Sequence, residues 1–323
     1  MFKFTTKPSV GIHIKDHVIR FVSMRGSSLA NVESFGEKYL PKGVIEKGKI
    51  VQADVFEEMM LDCVKKWNLK NKEVMFFVPD SSVFFRKLSI PADIKEEEIR
   101  GYLNFEIGAS IHLPFDEAYF DYHVLETNEA DEKRQILFFA TPELLIKDYA
   151  KRLESVKLKP IAADISGLSL YRFFQQNSEA GDRDHFLFIE WDVTSINLSI
   201  FHDDIPVFMR HIPQILEETD WDVKIGEDHT TLVCKNDVKI DGEISDHILE
   251  VERVLNFYKY SMNQGQKEIT NIVLTGDHPK LATLIKDRLA EINTNSSLKV
   301  IEDLQVELHP HYILPLSLCL KEV

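Results

Sequence analysis

Three short turns in this chain carry side chains of the kinds that handle phosphate. The first is His13-Ile14-Lys15-Asp16, inside a unit at residues 10–24 where Val10, Ile12 and Ile14 precede the turn and Ile19, Phe21 and Met24 follow it. The second is Glu190-Trp191-Asp192, with Thr194 close behind, inside a similar unit at 186–201. The third, Gly276-Asp277, closes an apolar run at 269–274. Alternating apolar residues about a polar centre read as a β-hairpin. Two such hairpins so far apart imply a duplicated, two-lobed fold whose turns face one another across a cleft. A lysine and a hydroxyl there suit phosphate oxygens, and an acid suits the water shell of a metal. Whether that cleft takes a nucleotide decides the function.

The elements that position these turns follow from the pattern around them. Strands are expected at 10–24, 32–39, 74–78 and 83–90, and residues 44–51 read as a loop. A helix after Asp54, its expected N-cap, places Val55, Met59, Cys63, Val64 and Trp67 on one face. Then come a helix at 95–110, strands at 118–125 and 135–140 around a polar loop, and a helix from Pro142 to about 156. This block reads as a small α+β subdomain inserted at about 83–160 in a first lobe of residues 1–174. The polar run 175–184 marks the boundary. The second lobe, 175–323, repeats strands, helix, strand and helix around a shortened subdomain at about 213–242, with short strands expected at 230–233 and 238–240. Adjacent phenylalanines in a strand, Phe76-Phe77 among them, should face opposite sides of a sheet.

Composition excludes several classes. At 323 residues the chain exceeds what one core usually supports. A formal net charge of −15 argues against sequence-independent nucleic-acid binding. The three cysteines, Cys63, Cys234 and Cys319, have neither zinc nor disulfide spacing and fit a reducing cytoplasm. No apolar run is long enough for a signal peptide or a membrane span, so any membrane role is expected through a partner. His309-Pro310-His311 lacks further ligands and reads as a loop, not a metal site.

The inserted block carries a resemblance. Arg-Lys-Leu-Ser-Ile-Pro at 86–91, an acidic helix leading to Phe105-Glu106, Ile-His-Leu-Pro-Phe at 111–115 and Asp-Tyr-His-Val-Leu at 121–125 together resemble the type IV pilus assembly protein PilM family. Glu-Arg-Val-Leu-Asn-Phe-Tyr at 252–258 and Ile-Val-Leu-Thr-Gly at 272–276 are similar to that family's interlobe helix and adenine-side turn. The resemblance implies the actin-like ATPase fold, shared with the cell-division protein FtsA and built on a duplicated ribonuclease-H-like lobe. It also implies a cytoplasmic protein, peripheral at the membrane, that docks on the cytoplasmic tail of the membrane protein PilN beside other platform proteins.

Nucleotide-binding members place Asp-Ile-Gly in both hairpins and a glycine-rich turn near the adenine, because glycine lets backbone N–H groups approach phosphate. Here the motifs read His13-Ile14-Lys15, Glu190-Trp191-Asp192 and Gly276-Asp277. An active cleft would turn Lys15 and Thr194 to phosphate and Glu190 to magnesium through water. Asp192 opposes this, since a carboxylate repels polyphosphate. The expectation is therefore a scaffold that is not an enzyme and needs no cofactor, with ATP and magnesium as the alternative, in which nucleotide switches partner binding. An FtsA-like filament protein is the third reading; it expects a C-terminal amphipathic membrane helix, which residues 320–323 do not supply. The partner peptide is expected in a groove between the inserted subdomain and the first lobe's sheet, lined by Arg86, Tyr102, Phe105 and Tyr122.

Overall fold

The computed structural model describes residues 8–26, 28–125, 132–177, 184–214, 220–225, 230–292, 295–304 and 306–322. Strands β1 (Pro8–Ile14), β2 (Val18–Arg25) and β3 (Val32–Tyr39) run antiparallel, and β1 also pairs in parallel with β6 (Glu73–Phe77), which pairs in parallel with β10 (Lys159–Asp164). The second lobe repeats this order. There β11 (His185–Trp191), β12 (Ser195–His202) and β13 (Ile205–Pro213) are antiparallel, and β11 leads in parallel to β16 (Asn271–Thr275) and β17 (Ser297–Val300). Sheet orders β3-β2-β1-β6-β10 and β13-β12-β11-β16-β17 are thus one topology used twice, as the paired hairpins predict.

Parallel strands need crossover helices, and these cover the sheets. Helices α1 (Ala53–Lys66) and α3 (Glu143–Ser155) close the outer face of the first sheet over Phe56, Met60, Phe76 and Leu153. Between the sheets lie α4 (Ser166–Asn177) and α7 (Ile313–Leu318), packed with Phe77, Phe188 and Leu316. Phe76 and Phe77 therefore do enter different cores. Gly11 admits α7 closely: a Cβ there would lie 2.3 Å from the Pro315 carbonyl oxygen. In the second lobe α5 (Asp237–Asn256) and α6 (Lys286–Ile292) cover Leu187, Leu274 and Leu289.

Between β6 and β10 the chain builds a separate antiparallel sheet of β7 (Phe84–Pro91), β9 (Lys133–Pro142) and β8 (Ala118–Val124), with α2 (Glu96–Glu106) packed on it over Ile90, Leu103 and Phe138. The second lobe carries instead the hairpin β14 (Trp221–Ile225) and β15 (Thr230–Cys234); parts of the interval 213–242, namely 215–219 and 226–229, lie outside the described residues.

Several local expectations are corrected. Residues 44–51 are not a plain loop but the small hairpin β4 (Ile45–Glu46) and β5 (Lys49–Ile50), whose turn Lys47-Gly48 has positive φ of 51° and 74°. Gln52, not Asp54, sits at the N-cap of α1, with Asp54 in the first turn; the buried stripe is Phe56, Met60, Cys63 and Val64, leaving Val55 exposed. Residues 238–240 are the first turn of α5 rather than a strand, because the Asn236 side chain accepts from the Lys239 backbone N–H and starts the helix there.

Candidate functional site

The β1–β2 turn and the ends of β11 and β16 meet between the lobes. Lys15 Nζ lies 2.8 Å from Glu190 Oε1 and 2.5 Å from Asp192 Oδ2. Asp277 Oδ2 lies 2.8 Å from His17 Nε2 and 2.9 Å from an Arg20 guanidinium nitrogen. Arg20 reaches on to Glu37 at 3.2 Å and the Tyr39 hydroxyl at 3.4 Å. Lys15, His17 and Arg20 of the first lobe thus face Glu190, Asp192 and Asp277 of the second, and all six are buried or nearly so. Pairing is what makes such burial tolerable, since isolated charges would not survive it. Even so, burial and then the Asp277 charge raise the Asp192 carboxyl well above its usual range, with Lys15 opposing.

The titration of these groups reflects the same pairing. Burial alone would push the Lys15 ammonium down, but Asp192, Glu190 and Asp277 outweigh it and hold the lysine charged well above its usual range. Burial likewise favours a neutral Asp277, yet His17, Lys15 and Arg20 draw its carboxyl well below the usual range. His13, buried against the edge of the Phe77 ring with centroids 5.0 Å apart, is kept neutral by burial and by Lys15.

The other predicted residues have different places. Asp16 accepts from the backbone N–H groups of Lys47 (2.7 Å) and Gly48 (2.9 Å), fixing the β4–β5 turn. Thr194 lines the cavity beside this network, and its carbonyl accepts from the Gln214 N–H at 2.9 Å. Gly276, at φ 134°, presses on the Trp191 backbone; a Cβ would lie 2.1 Å from the Trp191 oxygen. Its glycine is demanded by strand-end packing within the second lobe. The cavity measures about 430 Å³ and runs along Lys15, Lys42, Lys47, Asp80, Asn197, Gln214 and Trp221.

Sequence reading did not select Arg20, Asp80 or Asn197. Arg20 carried a signal: it interrupts the apolar strand Val18–Arg25, and a fully buried arginine must have partners. Asp80, in the turn after β6, accepts from Ser166 Oγ at 2.5 Å and from Asn197 Nδ2 at 3.0 Å. The same amide nitrogen lies 3.0 Å from Glu190 Oε2, and His211 Nδ1 lies 2.7 Å from the Asn197 oxygen. Among the described residues no cluster of His, Cys, Asp and Glu is arranged to hold a metal, and all three cysteines are free.

A sequence profile described as type IV pilus assembly protein PilM matches residues 11–214, well over half of the chain. The chain belongs to the PilM family. Its fold matches that of a structure titled "PilM-PilN type IV pilus biogenesis complex" with a TM-score of 0.75 at 17% identity, covering 97% of each chain. The ethanolamine utilization protein EutJ from Carboxydothermus hydrogenoformans matches with a TM-score of 0.55 at 7% identity, covering 99% of this chain and 91% of its own. No curated protein matches by sequence. The fold is the two-lobed, actin-like α/β fold.

In this PilM-family chain the four residues expected to line a peptide groove are spread over two surfaces. Register places Arg86, Phe138 and Tyr122 in one row across β7, β9 and β8, on the face that α2 covers, and Tyr102 of α2 packs into the same cluster. The Arg86 guanidinium lies over the Phe84 ring, 5.1 Å from its centroid. Phe105 projects from the opposite side of α2 and is 78% exposed. Tyr119 and Leu144 are also strongly exposed, and the Glu143 N–H donates to the Glu117 carbonyl at 3.0 Å, tying the start of α3 to the residue before β8.

Proposed function

We propose that this chain is a scaffold of a type IV pilus assembly platform, held at the cytoplasmic face of the membrane by the tail of a PilN-like protein and working without ATP hydrolysis. The observation that carries the reading is Lys15, bound at 2.8 Å and 2.5 Å to Glu190 and Asp192 where the two turns meet. A polyphosphate there would have to take the lysine from both acids and then sit against their freed carboxylates, which low polarity makes costly. The Gly276 turn offers no compensating space, since the Trp191 backbone fills it. In this reading the residues present do not suit a magnesium nucleotide.

The partner half of the proposal rests on family membership and on the 97% coverage of a structure whose title pairs PilM with PilN. Among the described residues no helix is long and apolar enough to cross a membrane, and in this reading the partner supplies the anchor. Exposed Phe105 beside the inserted sheet gives an apolar contact for an extended peptide.

One observation favours the second reading, an ATPase whose nucleotide state switches partner binding. The cavity of about 430 Å³, with Lys42, Lys47 and Thr194 in its wall, falls within the size range of ligand pockets. Calorimetric titration with Mg-ATP separates the two. A silent titration is expected; micromolar binding that disappears in Glu190→Ala would sink the scaffold reading. Co-purification with a synthetic PilN-like tail peptide tests the partner, and failure of the purified chain to retain the peptide counts against it.

A further inference from the structure

The geometry points to a proton-gated latch between the lobes, in which Asn197 bridges Asp80 and Glu190 while Asp80 keeps its proton, and the bridge lets go when Asp80 ionises beside the Glu190 carboxylate. The latch needs neither nucleotide nor tail, so its test stands apart from theirs. Asp80 belongs to the first lobe, at the turn that leads from β6 into the inserted sheet, and Glu190 belongs to β11 of the second. The single amide nitrogen of Asn197 spans them at 3.0 Å and 3.0 Å, one hydrogen to each carboxyl. Its carbonyl is held by the 2.7 Å contact with His211 Nδ1, which fixes the amide's orientation because an imidazole N–H donates there.

The charge balance at this point is what makes it proton-sensitive. Glu190 and Asp192 are buried with Asp80 partly buried beside them, and Lys15 is the one cation in ion-pair contact with any of them among the described residues. Lys15 contacts Glu190 and Asp192, leaving Asp80 with two neutral partners, the Ser166 hydroxyl and the Asn197 amide. Lys42 and Lys47 line the same cavity without ion-pair contact to these acids among the described residues, and several other nearby charges are paired elsewhere. Asp277 is matched by His17 and Arg20, Asp164 by Arg172 at 3.0 Å, and Arg210 by Glu250 at 2.9 Å. His13 and His211 are both kept toward the neutral form by burial. Asp16, which also faces His211, is held by two backbone N–H groups. Burial and then the Glu190 charge raise the Asp80 carboxyl to about 7, with Ser166 and Lys15 opposing.

The sign follows from linkage. A carboxyl whose closed-state value is raised binds its proton more tightly closed than open, so opening becomes easier as pH rises toward that value. Between pH 6 and pH 8 the opening equilibrium should increase about tenfold for a group titrating near 7 when closed and in the ordinary carboxylate range when open.

Hydrogen exchange on the full chain reads this directly, at the turn 78–82 and the turn 191–195, after correction for intrinsic exchange rates. Wild type should lose about tenfold protection at both turns from pH 6 to pH 8. Asp80→Asn, which keeps the bridge in a permanently neutral form, should show a flat profile at the protected level. Should that variant fold poorly, Glu190→Gln removes the neighbouring charge and should reduce the slope without abolishing it, because burial still raises Asp80. A pH-independent wild type, a slope that survives in folded Asp80→Asn, or an unchanged slope in Glu190→Gln overturns the latch.

Discussion

Lys15 Nζ, carried by the first hairpin, lies 2.5 Å from Asp192 Oδ2, carried by the second, across 177 residues of chain. The two turns that a duplicated fold aims at one another are joined directly. Breaking such a pair from one side leaves a buried acid uncompensated, which costs far more than the pair contributes net. Lys15→Met should therefore lower the unfolding free energy by about 3–5 kcal/mol, measured by denaturant titration. The double variant Lys15→Met with Asp192→Asn should recover part of that loss, and full additivity would show that the pair is not coupled.

The acid limb of stability should belong to Asp277. Its carboxyl is drawn well below the usual range by His17, Lys15 and Arg20, against the opposing effect of burial. A depressed carboxyl contributes stability that is complete above its unfolded value and is lost as pH falls through the folded one. Wild type should thus lose this contribution only well below pH ~4. Asp277→Asn should be less stable at neutral pH and should show a flatter decline in its melting temperature on acidification. Parallel curves for the two proteins would remove Asp277 from the account.

Gly276 should resist substitution for a reason internal to the second lobe. At φ 134° the backbone is one that L side chains rarely adopt, and the position of a Cβ is taken by the Trp191 main chain at 2.1 Å. Gly276→Ala should cost roughly 2–4 kcal/mol, because both backbone strain and displacement of β11 are imposed together. Gly26, at φ 72° with open space around its Cβ position, should lose much less on the same change. Comparing the two melting temperatures isolates the packing part.

How much of this was legible in sequence depends on the range of the interaction. The paired hairpins and the opposed faces of Phe76 and Phe77 are local patterns with local causes. Lys15, Glu190 and Asp192 were found because a repeated turn points at its counterpart. Their pairing with one another was not, since periodicity says which face a residue occupies and nothing about the charge opposite. Arg20 shows the gap most clearly. Its burial demanded an acid, but the acid is Asp277, 257 residues away. Asp80 and Asn197 escaped for the same reason: a turn acid and a strand amide look ordinary until two lobes close on them.

The inserted sheet should govern the partner independently of the interlobe contacts. Phe105 is 78% exposed, so Phe105→Ala removes little packing and should change stability by no more than about 0.5 kcal/mol. Aromatic anchors at interfaces commonly cost 1–2 kcal/mol or more when truncated, so tail-peptide affinity should fall about tenfold or further. Tyr122 packs with Phe138 in the cluster that α2 covers, and truncating it should disturb the subdomain as well as the peptide, whereas Arg86 of the same row is exposed. The discriminating comparison is therefore Phe105→Ala against Leu144→Ala, a second strongly exposed apolar residue, at the start of α3. Fluorescence anisotropy with a labelled tail peptide should show a loss for Phe105→Ala at unchanged melting temperature. A loss confined to Leu144→Ala would move the contact from α2 to the α3 side of the subdomain.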